Sequence, residues 1–173
     1  MAPTELSELV SYLDETHREM HEAVAGLTES QASTPPDPAR WSVLECLEHV
    51  IAVERLFLGR LQTAERAAAP APDKERERSL AERVADRSER RQAPEAVRPS
   101  GRFPNLHAAI DAFDAAREET VRFARDRRQE LYSLATSHPR LGPLNGYEFL
   151  LLIAAHGRRH AAQIRETRAA LRA

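Results

Sequence analysis

The stretch EFLLLIAAHGRRHAAQI, residues 148–164, joins a dense apolar run to two histidines four positions apart. Four residues turn an α-helix by about 400°, so His156 and His160 would lie on one side, about 40° out of register. On a helical wheel they continue an apolar stripe that includes Phe149 and Ile153. The stretch therefore predicts a helix whose core-facing stripe carries two imidazoles.

The charged residues of this helix lie on or toward its other side. They are Glu148, Arg158, Arg159, Arg165 and Glu166. The helix should begin at Gly146 and reach about Leu171, with Asn145 as its N-cap and Glu148 completing the capping box.

Two further helices are predicted in the first part of the chain. From Thr4 to about Thr28, apolar residues recur at spacings of three and four, until the proline-rich ESQASTPPDP at 29–38 ends the pattern. Ser42 is a second N-cap, with Glu45 three positions later in an S-x-x-E capping box. The helix that follows should run to about residue 67.

The middle of the chain changes character. Residues 67–101 are rich in Pro, Ala and charge, which indicates a long surface crossover with a short helix near 77–91. A third long helix should begin near Pro104, reach roughly Ala135 and end at the break TSHPRLGPLNG, which has two prolines and two glycines. No segment alternates with period two over strand length, so no strand is predicted.

These elements predict an all-α fold, a four-helix bundle with a long crossover between its second and third helices. With 173 residues, the chain is expected to form a single domain over 1–173. A formal net charge of −2 leaves no basic excess, so no nucleic-acid partner is expected.

Location follows from what the sequence lacks. The single cysteine, Cys46, cannot pair within the chain, and the N-terminal residues MAPTELSELV have no charged start followed by an apolar run. No run approaches the ~18 apolar residues of a membrane span. A cytoplasmic protein without a membrane partner is predicted.

The spacing of the histidines alone leaves two interpretations open. Buried imidazoles need a hydrogen bond or a metal ion, and an isolated H-x-x-x-H is often a pair of satisfied core histidines. The first helix offers a competing pair, His17 and His21, in THREMH. An open Zn²⁺ or Ni²⁺ site usually takes three protein ligands, and His49 borders the apolar arc of the second helix. Periodicity permits a ligand at His49 without requiring one.

Three motifs together resemble the DinB-like superfamily of small four-helix-bundle proteins. They are WSVLECLEH at 41–49, HPRLGPLNGYEFL at 138–150 and HGRRHAAQI at 156–164, and the resemblance extends over nearly the whole chain, including the PSGRFPNL entry to the third helix. The family pattern implies a metal held by one histidine of the second helix and two of the fourth. In this sequence these are His49, His156 and His160, and the family assigns His17 and His21 a minor role.

The resemblance implies a divalent metal ion, with Zn²⁺ and Ni²⁺ best suited to three imidazoles. Some relatives use a low-molecular-weight thiol in transferase or isomerase reactions, and this is the predicted activity, on a small-molecule substrate. The alternatives are hydrolysis of a small substrate and a metal-binding stress-response protein without turnover. A homodimer is a further expectation that no heptad pattern tests.

The remaining polar residues of the second helix are weaker candidates. Glu54 lies within the apolar arc, so it could assist proton transfer or form an ion pair with an arginine of the bundle. Glu48 is predicted to be a solvated surface carboxylate. Cys46 could be a nucleophile but is better explained as a small buried residue, and Trp41 is expected to pack at the start of the helix.

Overall fold

The computed structural model describes residues 3–89 and 91–171, which contain four long α-helices and two shorter ones. The helices are α1 (Pro3–Val24), α2 (Glu29–Ser33), α3 (Val43–Gln62), α4 (Lys74–Ala85), α5 (Leu106–Asp126) and α6 (Gly146–Ala170). Both α1 and α3 pack against α5 and against α6, so the four long helices form a bundle in which α1 lies diagonally from α3. The all-α four-helix bundle is confirmed, with its long crossover between α3 and α5.

The predicted starts of the second and fourth long helices are confirmed. The Ser42 side chain accepts a hydrogen bond from the backbone N–H of Glu45, whose carboxylate accepts one from the backbone N–H of Ser42. Asn145 and Glu148 form the same reciprocal box at the start of α6. Each box satisfies backbone donors that have no partner within the helix.

The first long helix ends earlier than the sequence suggested, at Val24 rather than near Thr28. Gly26 adopts a φ of +72°, a left-handed conformation that suits glycine and stops a helix. Thr28 then caps the short helix α2 in a capping box with Gln31. This box opens the stretch ESQASTPPDP, for which the sequence predicts only the end of the first helix.

The absence of strands was a wrong prediction. After α5 ends at Asp126, a short hairpin forms, in which β1 (Ala135–His138) pairs antiparallel with β2 (Gly142–Asn145). Strands of four residues are too short for a period of two to stand out in the sequence. α5 is shorter than the predicted third helix because it ends at Asp126, and the chain then forms a 3-10 turn over Leu131–Ser133 that leads into β1.

Part of the charged side of α6 is buried in the structure. The crossover helix α4 lies against α6 and covers part of that side, whereas Arg165 and Glu166 are exposed. Arg76 of α4 forms an ion pair with Glu148 at 2.8 Å, and Glu148 is completely buried. Arg159 is only 6% exposed and donates to the carbonyl of Glu89 in the crossover. A wheel for α6 alone could not show a partner supplied 70 residues earlier in the chain.

The bundle interior holds two clusters of buried apolar side chains. One is centred on Leu150 and Phe149 of α6, and the other contains Cys46, Phe113 and Ile164. Across the described ranges, no helix combines the length and apolar character needed to cross a membrane.

Candidate metal centre

The bundle brings His49, His156 and His160 together. His156 and His160 are one turn apart on α6, and His49 reaches them from α3, which packs against α6. The Nε2 atom of His156 lies 3.2 Å from Nε2 of His49 and 3.1 Å from Nε2 of His160. All three ligand atoms lie within 4.8 Å of one another. The structure thus places the three predicted ligands around one point.

The ring of His49 is oriented by the end of the crossover. Its Nδ1 atom lies 2.8 Å from the carbonyl oxygen of Val97, in a short 3-10 turn over Glu95–Val97. A carbonyl oxygen can only accept, so this hydrogen bond assigns the proton to Nδ1 and leaves Nε2 with a free lone pair. The residue type of Val97 gives no hint of this contact, because the acceptor is a backbone atom.

Two of the three separations between the three Nε2 atoms match those expected for ligands of one divalent ion. Zn–N bonds of about 2.0–2.1 Å at tetrahedral angles place nitrogens about 3.3 Å apart, close to the 3.1 and 3.2 Å contacts. With Nε2 of His49 unprotonated, one proton on His156 or His160 can bridge only one of these two contacts. A cation between the lone pairs would resolve this mismatch.

The histidines are in the protonation state that a metal requires. Burial lowers the pKa of His49, although the hydrogen bond to Val97 opposes this effect. Burial is the main reason that the pKa values of His156 and His160 lie well below the ordinary value. Nearby imidazole and arginine groups lower both pKa values further. All three rings are therefore neutral at pH 7, as metal-ligating imidazoles must be. His156 is the most accessible of the three, since His49 and His160 are 5% and 6% exposed.

Glu48 is not the solvated surface carboxylate that its place on the helix predicted, since it is 2% exposed. Its two oxygens accept hydrogen bonds from the backbone N–H groups of Ser100, Gly101 and Arg102, at 2.7, 3.0 and 3.1 Å. The segment 100–102 follows closely after Val97. Glu48 thus fastens the part of the crossover that orients His49. The adjacency of Glu48 to a ligand histidine was the one sequence signal for this role.

Glu54 forms the ion pair that was the alternative to a role in proton transfer. Its carboxylate accepts from Arg117 at 2.8 and 3.0 Å and from the hydroxyl of Thr120 at 2.9 Å. Arg117 also donates to the carbonyl of Leu13 and the hydroxyl of Thr16. The network is buried and ties α1, α3 and α5 together. The contacts of this network do not reach the three histidines, and a catalytic role for Glu54 stays a prediction.

Two neighbours of His49 have distinct roles. The ring of Trp41 lies 5.0 Å from the ring of His49, so Trp41 borders the three histidines as well as packing before α3. Cys46 is fully buried, and burial raises the pKa of its thiol to about 12. A thiol with that pKa is not a nucleophile at neutral pH, and Cys46 serves as a packing residue.

The competing pair, His17 and His21, makes its hydrogen bonds to Asp114 and not to the three predicted metal ligands. Both Nε2 atoms approach one carboxylate oxygen of Asp114 on α5, at 2.6 and 2.7 Å. Nothing in the sequence distinguishes Asp114, because it is one of several acidic residues on the polar side of its helix.

Comparisons with known proteins agree with this architecture. A 24% identical relative is the uncharacterized protein YuaE of Bacillus subtilis (strain 168), aligned over 157 residues that cover 91% of this chain and 95% of that protein. The solved structure of YfiT from Bacillus subtilis, described as a probable metal-dependent hydrolase with an unusual four-helix bundle topology, matches with a TM-score of 0.60. The match has 17% identity and covers 96% of this chain and 87% of YfiT.

A second solved structure, a conserved protein from Enterococcus faecalis, matches with a TM-score of 0.67 and 19% identity over 98% of this chain and 97% of that one. These structural likenesses concern the fold. The family model of the DinB superfamily matches residues 12–164, which include all three histidines. The chain belongs to the DinB superfamily.

Proposed function

We propose that the protein is a metal-dependent enzyme acting on a small molecule, with a divalent ion held by His49, His156 and His160. The observation that carries the proposal is the convergence of the three Nε2 atoms, with contacts of 3.1 and 3.2 Å, in a buried site. Three imidazoles are a ligand set that suits Zn²⁺ and Ni²⁺.

An ion bound by three neutral imidazoles would keep its full +2 charge and lower the pKa of a water or thiol. The chain supplies the surroundings. Val97 orients His49, Trp41 borders the site, and the guanidinium groups of Arg159 and Arg87 lie close enough to His160 to lower its pKa.

Hydrolysis of a small substrate is the first candidate reaction. It is supported by the likeness to YfiT, which is described as a probable metal-dependent hydrolase. It also agrees with the ligand set, because three histidines with a further position for water form the hydrolytic type of zinc site.

Transfer or isomerisation with a low-molecular-weight thiol is the second candidate. The observation that favours it is the engagement of both nearby carboxylates of α3, since Glu48 holds backbone N–H groups and Glu54 holds Arg117. A thiol has a pKa near 8.5 and loses its proton with little help. Because neither Glu48 nor Glu54 is free to act as a base, a thiol nucleophile suits the site better than water does.

The experiment starts with protein stripped by a chelator and reloaded with Zn²⁺ or Ni²⁺. Metal content is measured by mass spectrometry, and turnover is assayed with a panel of esters and amides and with small thiols plus electrophiles. His156→Ala should lose one equivalent of metal and all turnover. His107→Ala is the matched control, because His107 is an exposed histidine of α5.

The outcomes separate the candidates. Turnover of esters or amides without a thiol would select the hydrolase, and turnover only with a thiol would select the transferase. Metal bound by the three histidines without turnover on either panel would leave a metal-binding protein and reject the enzyme. Equal metal content in wild type and His156→Ala would reject the site itself.

A further inference from the structure

A second group of metal-ligand side chains lies on the face between α1 and α5. His17 and His21 are one turn apart on α1, and both direct Nε2 at the Oδ1 atom of Asp114 on α5, at 2.6 and 2.7 Å. The three ligand atoms lie within 4.8 Å of one another. The group shares no residue with the three histidines on α3 and α6.

The rings are held in place by packing. The His17 ring lies 5.4 Å from the ring of Phe113 and 4.8 Å from the ring of His21, in an edge-on arrangement. Phe113 is 1% exposed, so the His17 ring rests on the core. Because α1 and α5 pack together, Asp114 meets both histidines without a long reach. The ligand atoms are thus ordered before any ion binds.

The group is also open to solvent. The side chains of His17, His21 and Asp114 are 30%, 41% and 38% exposed. His21 lines a shallow hollow whose other walls include the apolar side chains of Leu106 and Ile110. An ion at this position would keep coordination sites for water or for a small ligand lying in the hollow.

The carboxylate is ready to act as a ligand. Burial by itself would raise the pKa of Asp114, but the hydrogen bonds from His17 and His21 outweigh it and lower the pKa. Asp114 is therefore ionised at neutral pH. Two imidazoles and one carboxylate form a set that binds Zn²⁺, Fe²⁺ and related divalent ions.

We propose that His17, His21 and Asp114 form a second, solvent-open site for a divalent transition-metal ion. Ligands of one ion at about 2.0–2.2 Å stand about 3.0–3.4 Å apart, so each histidine must move back from Asp114 by a few tenths of an ångström. Partly exposed side chains can make this shift. Without an ion, Nε2 of each imidazole carries the proton that it donates to Asp114. Ion binding would exchange this tautomer for the one protonated on Nδ1, and Nε2 would then face the ion.

The two sites differ in charge and therefore in behaviour. Asp114 neutralises part of the +2 charge, whereas the site of His49, His156 and His160 has three neutral ligands. The open site also exchanges its ion with solvent more freely, because its ligands are partly exposed. The ion would link α1 to α5, so its binding should raise the unfolding temperature.

The test is the number of zinc ions bound by the full-length protein, measured by equilibrium dialysis at pH 7.5 with metal analysis. The double variant His17→Ala, His21→Ala should bind one ion fewer than wild type. Asp114→Asn should weaken the same ion at least tenfold. In the background His49→Ala, His156→Ala, one zinc should remain, and Asp114→Asn should remove it.

The exposed pair His107 and Asp111, four residues apart on α5 with a contact of 3.5 Å, is the matched control. It has the same residue types, but no third ligand joins it within residues 3–89 and 91–171. His107→Ala with Asp111→Asn should therefore leave the zinc count unchanged. An equal zinc count in wild type and in the His17→Ala, His21→Ala variant would overturn the proposal and leave a His–Asp–His hydrogen-bond cluster. This comparison holds whether or not the background variant folds.

Discussion

Glu48 offers the sharpest test of how the fold orients a metal ligand. Replacing it with glutamine keeps its size but removes the negative charge of the carboxylate. The oxygens of that carboxylate accept hydrogen bonds from the backbone N–H groups of Ser100, Gly101 and Arg102. That segment follows the carbonyl of Val97, which holds Nδ1 of His49. Glu48→Gln should therefore loosen the crossover and weaken metal binding together.

The size of the effect follows from the contacts. A hydrogen bond to a charged group contributes about 1.5–3 kcal/mol, but the three N–H groups belong to exposed residues and can turn to water, so we expect a total loss of about 2–4 kcal/mol. Changes in groups that orient a metal ligand cost about 10–100-fold in affinity. Because Glu48 acts through an intervening segment, we expect about tenfold.

Two measurements are needed on each variant, the free energy of unfolding in urea without metal and the zinc dissociation constant. Glu29→Gln is the matched control. Glu29 is also a carboxylate that accepts a backbone N–H from a neighbouring segment, that of Leu106, at 2.8 Å. It should lower stability without changing zinc affinity at the three histidines.

The reasoning would be refuted by an unchanged zinc affinity in a Glu48→Gln protein that has lost stability. It would also be refuted if Glu29→Gln weakened zinc to the same extent, because metal affinity would then follow global stability. Hydrogen exchange gives a second check, since the amides of 100–102 should exchange faster in Glu48→Gln.

Three other predictions concern the bundle itself. Arg117→Met should cost about 3–5 kcal/mol in urea unfolding because it leaves the buried Glu54 carboxylate unpaired, and adding Glu54→Gln should restore part of that loss. Gly146→Ala should lower the free energy of unfolding by about 1–3 kcal/mol, since a Cβ there would lie 2.8 Å from a backbone carbonyl oxygen. In Gly59→Ala the added Cβ would meet no described atom within 4 Å, so this variant should stabilise α3 by about 0.5–1 kcal/mol. Burial raises the pKa of Cys46 to about 12, so its thiol should resist iodoacetamide at pH 8 in the native protein and react once the protein unfolds. Mass spectrometry would show the alkylated cysteine. Rapid alkylation of the native protein would contradict the packing role of Cys46.

Much of the fold could be predicted because its determinants are local. The capping boxes at Ser42 and Asn145 and the helical spacing of apolar residues act within four or five positions, and they fixed where α3 and α6 begin. The crossover was visible from its composition. The hairpin was not, because strands of four residues carry too little periodicity.

In the candidate site, too, local patterns could be predicted from the sequence and contacts between distant segments could not. The pair His156 and His160 is a local pattern, but spacing could not distinguish it from His17 and His21, and His49 entered as the third ligand only through the family resemblance. Contacts made between distant segments were invisible in the sequence. Glu48 looked exposed because its partners lie 52–54 residues later in the chain.

The central claim is that His49, His156 and His160 hold one divalent ion, and anomalous diffraction from crystals grown with saturating zinc tests it most directly. If one zinc ion is bound by the three imidazoles, we expect a strong anomalous peak about 2.0–2.1 Å from the Nε2 atom of each histidine. A map with no peak between these three rings, while zinc is found elsewhere on the protein or nowhere, would contradict it.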